Sequence, residues 1–382
     1  MSAIPTPSDT RLSLLDRILA KRDSLIASDR FRRWASAFPL TRPIAQRRAR
    51  ALFDICAGFV YSQVLLTCVR LDLFEILTEG PKSLADLSPR LGLTLDATER
   101  LIRAAISLGL VAKRSHDRFG LGQLGAAMVG NEGVKSMVEH HSIFYKDLED
   151  PVTLLKTPPG TQITELSRYW PYAGAAQPAE IDNAQVIAYS KLMSESQALI
   201  ASEILDAYPM QHHQCLLDVG GGAGTFLVAA ANRHPHLRVK LFDLPAVATI
   251  AKTRFEEAGI AARAETFGGD FVATPLPEGA DVISLIRVAF DHPDEKVLNI
   301  LRAIRKVIPK NGTLLIAEPM AGTIGAEAMG DAYFGFYLLA MGRGRSRTAD
   351  ELTALLNEAG FRHVKIARTR MPLQTKLLMA RP

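Results

Sequence analysis

Apolar residues recur at helical spacing in the first part of the chain. In residues 11–28, leucine and isoleucine alternate with lysine and arginine at a period near 3.6, which predicts a basic amphipathic helix. From Phe53 to about Leu77 apolar residues are dense enough to predict a buried helix, which Gly80-Pro81 ends. The beginning of the chain is therefore predicted to be helical.

The next forty residues combine helical and alternating patterns. They predict one helix from Ser83 to Gly92, a second from Thr94 to Leu108, and two short strands at 109–113 and 118–121. This order is typical of a winged-helix domain. The second helix begins with Asp96 and Glu99, which would repel phosphates, so no nucleic-acid binding is expected.

After Pro209 the pattern changes to short apolar strands that alternate with helices. The predicted strands are 215–219, 239–242, 282–285 and 313–317. Such alternation predicts an α/β domain with a parallel sheet covered on both faces. We divide the chain into a basic arm (1–50), a winged-helix domain (51–127), a connecting helical segment (128–179) and a catalytic domain (180–382).

Composition excludes several classes of protein. Of 382 residues 48% are hydrophobic and 22% charged, which excludes a disordered or fibrous chain. The three cysteines form no CxxC pair, so neither a disulfide framework nor a zinc site is predicted. Because no leader pattern and no uncharged apolar run of about 18 residues is found, we expect a cytoplasmic protein.

The positive charge is concentrated in the arm. Residues 1–50 contain eleven Lys or Arg against four Asp, whereas the remainder is nearly neutral. The helix predicted over 11–28 either packs on the body of the protein or a partner subunit, or lies peripherally on an anionic membrane surface. Both interpretations stay open.

A glycine-rich loop follows the first strand of the predicted sheet. Asp218-Val219-Gly220-Gly221-Gly222-Ala223-Gly224 lies between a strand and a helix, where glycines let the backbone approach a ligand. The third glycine of the dinucleotide pattern GxGxxG is missing, which disfavours NAD and FAD. The loop instead favours S-adenosylmethionine.

Two further strand ends add polar groups suited to the same cofactor. Asp243 ends the second strand and is predicted to accept hydrogen bonds from ribose hydroxyls, although a plain helix N-cap is the alternative. Asp270 and Phe271 follow the third strand, where a carboxylate can bind the adenine amino group and a ring can cover its face. Because ligands bind at the carboxyl ends of parallel strands, these loops should converge.

These motifs, together with Asp291-His292-Pro293-Asp294-Glu295, resemble the S-adenosylmethionine-dependent O-methyltransferases of the caffeate and hydroxyindole type. The stretches around His140-His141 and Tyr169-Trp170-Pro171 further resemble the hydroxyneurosporene (demethylspheroidene) branch of carotenoid synthesis. The resemblance implies a class I methyltransferase fold, a winged-helix dimerisation domain, a homodimer and a helical segment that lines the acceptor pocket. The implied cofactor contacts are Asp218, Gly220, Gly222, Asp243, Leu244, Asp270, Phe271 and Arg287.

The chain departs from the family at the catalytic base. The family's general-base histidine falls on Phe290, one of its two flanking acids on Glu318, and the other on Ser346. Four other titratable groups are candidates for the base, namely His140, His141, Tyr145 and His292. Of these we favour His141, because helical spacing puts it on one face with Met137 and Tyr145. A core histidine, or a surface pair with His140, is the alternative.

Aromatic residues and methionines follow at 329–341. With Phe290 they suit a pocket for a long hydrophobic acceptor, although a buried helix shared with a dimer interface explains them equally well. We expect methylation of the tertiary hydroxyl of an acyclic hydroxycarotenoid. The alternatives are a lipophilic ring compound such as a bacteriochlorophyll precursor, and a regulator that binds the cofactor without catalysis.

Overall fold

A computed structural model describes residues 13–158, 160–161, 163–169, 197, 200–271, 273–370 and 375–382. The chain divides into two compact units, Met1–Ala126 and Ala127–Pro382, each described by itself. The aromatic turn predicted at Trp170-Pro171-Tyr172 and the domain boundary predicted at residue 180 lie outside the described residues. The four-part division of the chain stays a prediction.

The first unit begins with the predicted amphipathic helix. Helix α1 starts one residue after Ser13, whose hydroxyl accepts from the Asp16 N–H while the Asp16 carboxylate accepts from the Ser13 N–H. This capping box fixes the start of the helix. The helices of the unit are α1 (Leu14–Ala27), α2 (Asp29–Ala37), α3 (Arg42–Arg70), α4 (Leu73–Thr78), α5 (Leu84–Leu91) and α6 (Leu95–Ser107).

The prediction of one buried helix from Phe53 to Leu77 is wrong in two respects. The helix begins at Arg42 and ends at Arg70, because Asp72 turns the chain with φ +50° before α4. Its apolar face is open to solvent within the single chain, with Ile55 79% and Phe59 65% exposed. Among the described residues, α3 is the one helix long and apolar enough to cross a membrane by length and composition.

The second half of this unit follows the predicted order. Helices α5 and α6 are separated at Gly92, and a hairpin of β1 (Val111–Arg114) and β2 (Arg118–Leu121) pairs antiparallel after them. Both helices are capped, α5 by Ser83 and α6 by Thr94. The winged-helix assignment itself stays a prediction.

The second unit contains a seven-stranded sheet in the order β5-β4-β3-β6-β7-β9-β8. The first five strands in this order are parallel, as predicted. Strand β9 pairs antiparallel with β7, and β8 pairs antiparallel with β9, which the sequence pattern did not predict. The strands are β3 (Cys215–Val219), β4 (Arg238–Asp243), β5 (Ala264–Gly268), β6 (Val282–Ile286), β7 (Thr313–Glu318), β8 (Arg362–Ala367) and β9 (Lys376–Arg381).

Helices cover the sheet and form the segment that precedes it. Strands β3, β6 and β7 are buried along their whole length, which explains their continuous apolar sequences. The helices are α7 (Gln123–Met128), α8 (Glu132–Asp147), α9 (Pro151–Lys156), α10 (Glu165–Tyr169), α11 (Thr225–Arg233), α12 (Pro245–Glu257), α13 (Asp294–Val307), α14 (Phe334–Met341) and α15 (Ala349–Glu358), with a π-helix at Ala328–Tyr333. Helix α7 straddles the boundary between the units.

Candidate active site

The glycine loop connects β3 to α11 at the carboxyl edge of the sheet. Gly220 has φ +73°, and a Cβ there would lie 2.7 Å from a Val288 methyl group and 3.3 Å from the Phe271 ring. Only glycine fits this backbone and this space. Gly220 therefore lets the glycine loop pack directly against Val288 and Phe271, at the edge of the sheet where the sequence predicts a cofactor site.

Two carboxylates lie beneath the loop. Asp218 is fully buried, and its Oδ1 accepts from the Ser284 hydroxyl at 2.6 Å, whereas its Oδ2 meets no hydrogen-bond donor among the described residues. Burial, with the nearby charge of Asp243, raises the pKa of Asp218 to about 7. An unpaired buried acceptor in a glycine cradle fits a cofactor with a cationic end.

Asp243 ties the second strand end to the glycine loop. Its Oδ2 accepts from the Gly222 N–H at 2.8 Å and its Oδ1 from the Leu244 N–H at 2.7 Å. Burial raises the pKa of Asp243 to about 6, although the two N–H groups favour the carboxylate. Asp243 thus shapes the loop, and each oxygen keeps a second lone pair for a ribose hydroxyl.

The third strand end brings Phe271 close to one catalytic candidate. The ring centroids of Phe271 and His292 are 6.1 Å apart, and those of Phe271 and Phe242 are also 6.1 Å apart. The Asp270 carboxylate accepts from the Ala273 N–H at 3.3 Å within its turn. Burial lowers the pKa of His292 to about 3, so its ring is neutral at neutral pH. His292 therefore lies on the side of the predicted adenine site.

A buried charged cluster lies beyond the ends of β6 and β7. Arg287 adopts φ +55°, which is rare for a residue with a side chain, and its N–H donates to the Ala317 carbonyl at 2.8 Å. Burial raises the pKa of Asp291 to about 8, against the opposing charge of Arg287. Burial also raises the pKa of Glu318 to about 7. The structure thus places Arg287 and Glu318, both predicted site residues, around Asp291.

Glu318 has lost the partner that the family resemblance implies. One carboxylate oxygen accepts from the Phe290 N–H at 3.0 Å, and the other finds no donor within the described part of the chain. The Phe290 ring, at the family's base position, is buried and cannot accept a proton. The usual arrangement for deprotonation is therefore absent.

Arg347 binds the backbone of the segment that contains Phe290, and the sequence pattern did not identify Arg347 as a site residue. Its guanidinium is fully buried and donates to the Ala289 carbonyl at 2.8 Å and the His292 carbonyl at 2.6 Å. Gly344 lets the same two segments approach, because a Cβ there would lie 2.1 Å from the Phe290 carbonyl oxygen. The only sequence signal was an arginine directly before the Thr348 N-cap of α15.

An aromatic cluster occupies the space around Phe290. The rings of Phe290 and Phe334 are 5.7 Å apart, and Tyr333 lies 5.0 Å from Phe334, both edge to face. Phe144 of α8 contacts Tyr333 and Tyr337. We call Phe144, Phe290, Tyr333, Phe334 and Tyr337 the aromatic cluster.

Two histidines of α8 pair with the two tyrosines of this cluster. His141 Nε2 lies 2.7 Å from the Tyr333 hydroxyl oxygen, and His140 Nε2 lies 2.6 Å from that of Tyr337. His140 and Tyr337 are both buried, whereas His141 and Tyr333 are only partly buried. Burial lowers the pKa of His141, and that of His140 to about 4, so both rings are neutral at neutral pH.

The π-helix Ala328–Tyr333 places Tyr333 against His141. Such π-turns are rare, and they occur frequently at functional sites. The Tyr333 hydroxyl also lies 3.6 Å from the Met137 sulfur, so Met137 and His141 share one face of α8, as predicted. Sequence spacing predicted this face of α8 but not its partner Tyr333.

Two family models match the chain. One describes an O-methyltransferase domain and matches residues 148–362, which is more than half of the chain. The other describes an O-methyltransferase dimerisation domain and matches residues 53–131. The second match includes most of α3 with its exposed apolar face.

Similar proteins of known identity cover nearly the whole chain. The demethylspheroidene O-methyltransferase of Cereibacter sphaeroides is 40% identical over 96% of this chain and 94% of its own length. That of Rhodobacter capsulatus is 39% identical over 90% of this chain and 84% of its own. Among solved structures, the calicheamicin-biosynthesis methyltransferase CalO1 with SAH bound matches at a TM-score of 0.74 and 25% identity, over 88% of this chain and 98% of that one.

Proposed function

The chain belongs to the family of S-adenosylmethionine-dependent O-methyltransferases, and we propose that its acceptor is the tertiary hydroxyl of an acyclic hydroxycarotenoid of the demethylspheroidene type. The protein is an enzyme, its cofactor is S-adenosylmethionine, and its dimerisation domain makes it a homodimer. The observation that supports the acceptor is 40% identity over 96% of the chain to a demethylspheroidene O-methyltransferase.

The aromatic cluster supports an acceptor of this class. A polyene chain offers only apolar surface, and the cluster presents rings with few polar atoms to it. The partly exposed His141 and Tyr333 are polar groups that could meet a single hydroxyl. The contacts of α8 to the cluster support the proposal that the predicted segment 128–179 lines the acceptor pocket.

The cofactor contacts are proposed on the geometry of the strand ends. Gly220, Gly222 and Asp218 would hold the methionine end, and Asp243 with Leu244 the ribose. Asp270 and Phe271 would hold the adenine, and Arg287 would border the acceptor side. S-adenosylmethionine supplies a methyl group activated by a sulfonium, while the chain's part is to orient the acceptor oxygen in line with it and to exclude water.

Of the three predicted catalytic residues, His141 is proposed to accept the proton. It is neutral and partly accessible, and it lies beside the aromatic cluster. His292 lies against Phe271 on the cofactor side, and Glu318 faces the Phe290 backbone. These two are proposed to shape the site.

The acceptor assay is methyl transfer from labelled S-adenosylmethionine to demethylspheroidene dispersed in detergent. We expect a labelled methyl ether, identified by mass spectrometry, and no product when a bacteriochlorophyll precursor replaces the carotenoid. Label in the bacteriochlorophyll precursor alone would overturn the proposed acceptor and leave the family unaffected. The Asp243→Ala variant is the control for cofactor-dependent transfer.

We also propose that the basic arm brings this cytoplasmic enzyme into peripheral contact with an anionic membrane, where such an acceptor dissolves. In α2, Trp34 and Phe38 stack at 5.2 Å and are 50% and 40% exposed, with Arg30 and Arg33 beside them. Interfacial helices combine aromatic residues and arginines in this way. Each basic residue near an anionic surface contributes about 1 kcal/mol, which salt weakens.

Sedimentation with vesicles tests the membrane contact. Arg30→Gln/Arg33→Gln should release the protein from vesicles containing phosphatidylglycerol at low salt. The matched control, Arg100→Gln/Arg103→Gln, removes two exposed charges from α6 and should sediment like the unmodified protein. Equal sedimentation of both variants, or none by the unmodified protein, would refute the contact.

A further inference from the structure

The geometry points to Tyr333 as the group that contacts the acceptor hydroxyl and passes its proton to His141. This inference rests on the proposed function, because it concerns how an alcohol without a family base is deprotonated. It begins from the replacement of that base by Phe290, whose buried ring lies 5.7 Å from Phe334.

Tyr333 is a titratable group linked to the family's base position through one intervening ring. Its ring lies 5.0 Å from Phe334, which in turn contacts Phe290. The charge of Arg287, a residue at the carboxyl end of β6, reaches the Tyr333 hydroxyl. Tyr333 is therefore the member of the aromatic cluster on which the charge of Arg287 acts.

The two histidine–tyrosine pairs differ in access, and this difference selects one of them. His140 is 7% and Tyr337 5% exposed, so their hydrogen bond is enclosed. His141 and Tyr333 are each partly exposed, and their hydrogen bond of 2.7 Å is only partly buried. An acceptor can reach the second pair only.

The proton transfer balances without any further reagent. The acceptor hydroxyl donates to Tyr333 Oη, and Tyr333 donates its own proton to His141 Nε2. As the acceptor oxygen bonds to the methyl carbon, the bonding electron pair remains on sulfur, the acceptor proton passes to Tyr333, and the tyrosine proton passes to His141. The products are the methyl ether, S-adenosylhomocysteine and protonated His141, which returns its proton to solvent.

The surroundings set the protonation states from which the transfer starts. Burial raises the pKa of Tyr333, so the phenol remains neutral before and after the reaction. Burial lowers the pKa of His141, so its ring is neutral and able to accept. Among the described residues, the titratable or charged groups near the pair include His140 on α8, Arg287 after β6 and Tyr337, whose ring centroid lies 5.9 Å from that of Tyr333.

The tautomer of His141 gives a test that needs no turnover. In ¹⁵N-histidine-labelled enzyme without ligands, assigned by the His141→Gln spectrum, we expect a His141 Nε2 that bears no proton and accepts from Tyr333. A protonated Nε2 in the neutral ring would mean that Tyr333 accepts instead, which would overturn the relay. This result does not depend on the identity of the acceptor.

Single-turnover rates at saturating cofactor supply the second test. Tyr333→Phe should slow methyl transfer at least a hundredfold with cofactor affinity unchanged, because it removes only the hydroxyl. The matched control Tyr208→Phe removes the hydroxyl of another histidine–tyrosine pair, with His213 Nε2 at 2.8 Å before the start of β3, and should slow transfer less than fivefold. A Tyr333→Phe rate within fivefold of the unmodified enzyme would overturn the relay, whereas no transfer by the unmodified enzyme would instead refute the proposed acceptor.

Discussion

Replacement of Arg347 by methionine should destabilise the second unit more than its position in a loop suggests. The side chain is fully buried, and each of its three guanidinium nitrogens donates to a residue of the six-residue segment 289–294. Besides the Ala289 and His292 carbonyls, Nε donates to Asp294 Oδ1 at 2.7 Å. Arg347 therefore holds the segment that places Phe290 and Asp291.

The size of the effect follows from the groups left behind. Each carbonyl without its donor costs about 1–3 kcal/mol, and breaking a buried charged pair costs about 3–5 kcal/mol. Asp294 is half exposed and water can solvate it, so the carbonyls dominate. We expect the free energy of unfolding to fall by about 3–5 kcal/mol, which lowers the melting temperature by roughly 6–15 °C.

Arg345→Met is the matched control, measured by calorimetry at the same protein concentration. Arg345 lies two residues away, is 44% exposed, and also pairs with Asp294, at 2.9 Å. Exposed ion pairs contribute about 0–1 kcal/mol, so we expect a shift below about 3 °C. Equal shifts in the two variants would show that the buried hydrogen bonds of Arg347 do not hold the segment.

Three further predictions address the site. Asp243→Ala should weaken S-adenosylmethionine binding by about 1–3 kcal/mol in calorimetric titration, because buried hydroxyls lose their acceptor; an unchanged Kd would remove Asp243 from the site. Phe290→His should raise turnover no more than about tenfold, because Ser346 supplies no orienting acid, and a larger gain would show that proton removal limits the enzyme. Folding raises the pKa of Glu318 from 4.5 to about 7, so the contribution of its protonated side chain to stability is full below pH 4.5 and is lost as the pH rises through 7. The free energy of unfolding of Glu318→Gln should therefore increase relative to that of the unmodified protein between pH 5 and pH 8, by up to about 3 kcal/mol. Parallel curves of unfolding free energy against pH would contradict this.

The parallel part of the sheet could be predicted because its signals are local. Continuous apolar runs identified β3, β6 and β7, and the glycines between β3 and α11 marked the ligand loop. The convergence of Asp218, Asp243 and Phe271 then followed from the rule that parallel strands end at one edge. At each end of the four predicted strands, the predicted limit differs from the observed one by no more than one residue.

Pairings between distant positions could not be predicted in the same way. His141 and Tyr333 are 192 residues apart, and helical spacing gives a face of α8 without its partner. Arg347 likewise acts through backbone carbonyls, which every residue possesses, so no residue pattern indicates its contacts. The exposure of α3 has a different cause, since an apolar face looks the same in sequence whether its own chain or a second subunit covers it.

Glu318 corresponds to a catalytic acid of the family, but in this chain it has no histidine to orient and keeps a structural role. With phenylalanine at the base position, its carboxylate orients no imidazole, yet it still accepts the Phe290 N–H and lies within the field of buried Arg347. Removing either charged group would leave the other buried with less compensation. Both side chains therefore keep their hydrogen bonds to the backbone of segment 289–294, regardless of the ring that the segment presents. The ring could thus become apolar to fit a long acceptor, provided that a proton acceptor existed elsewhere, and α8 offers one in His141.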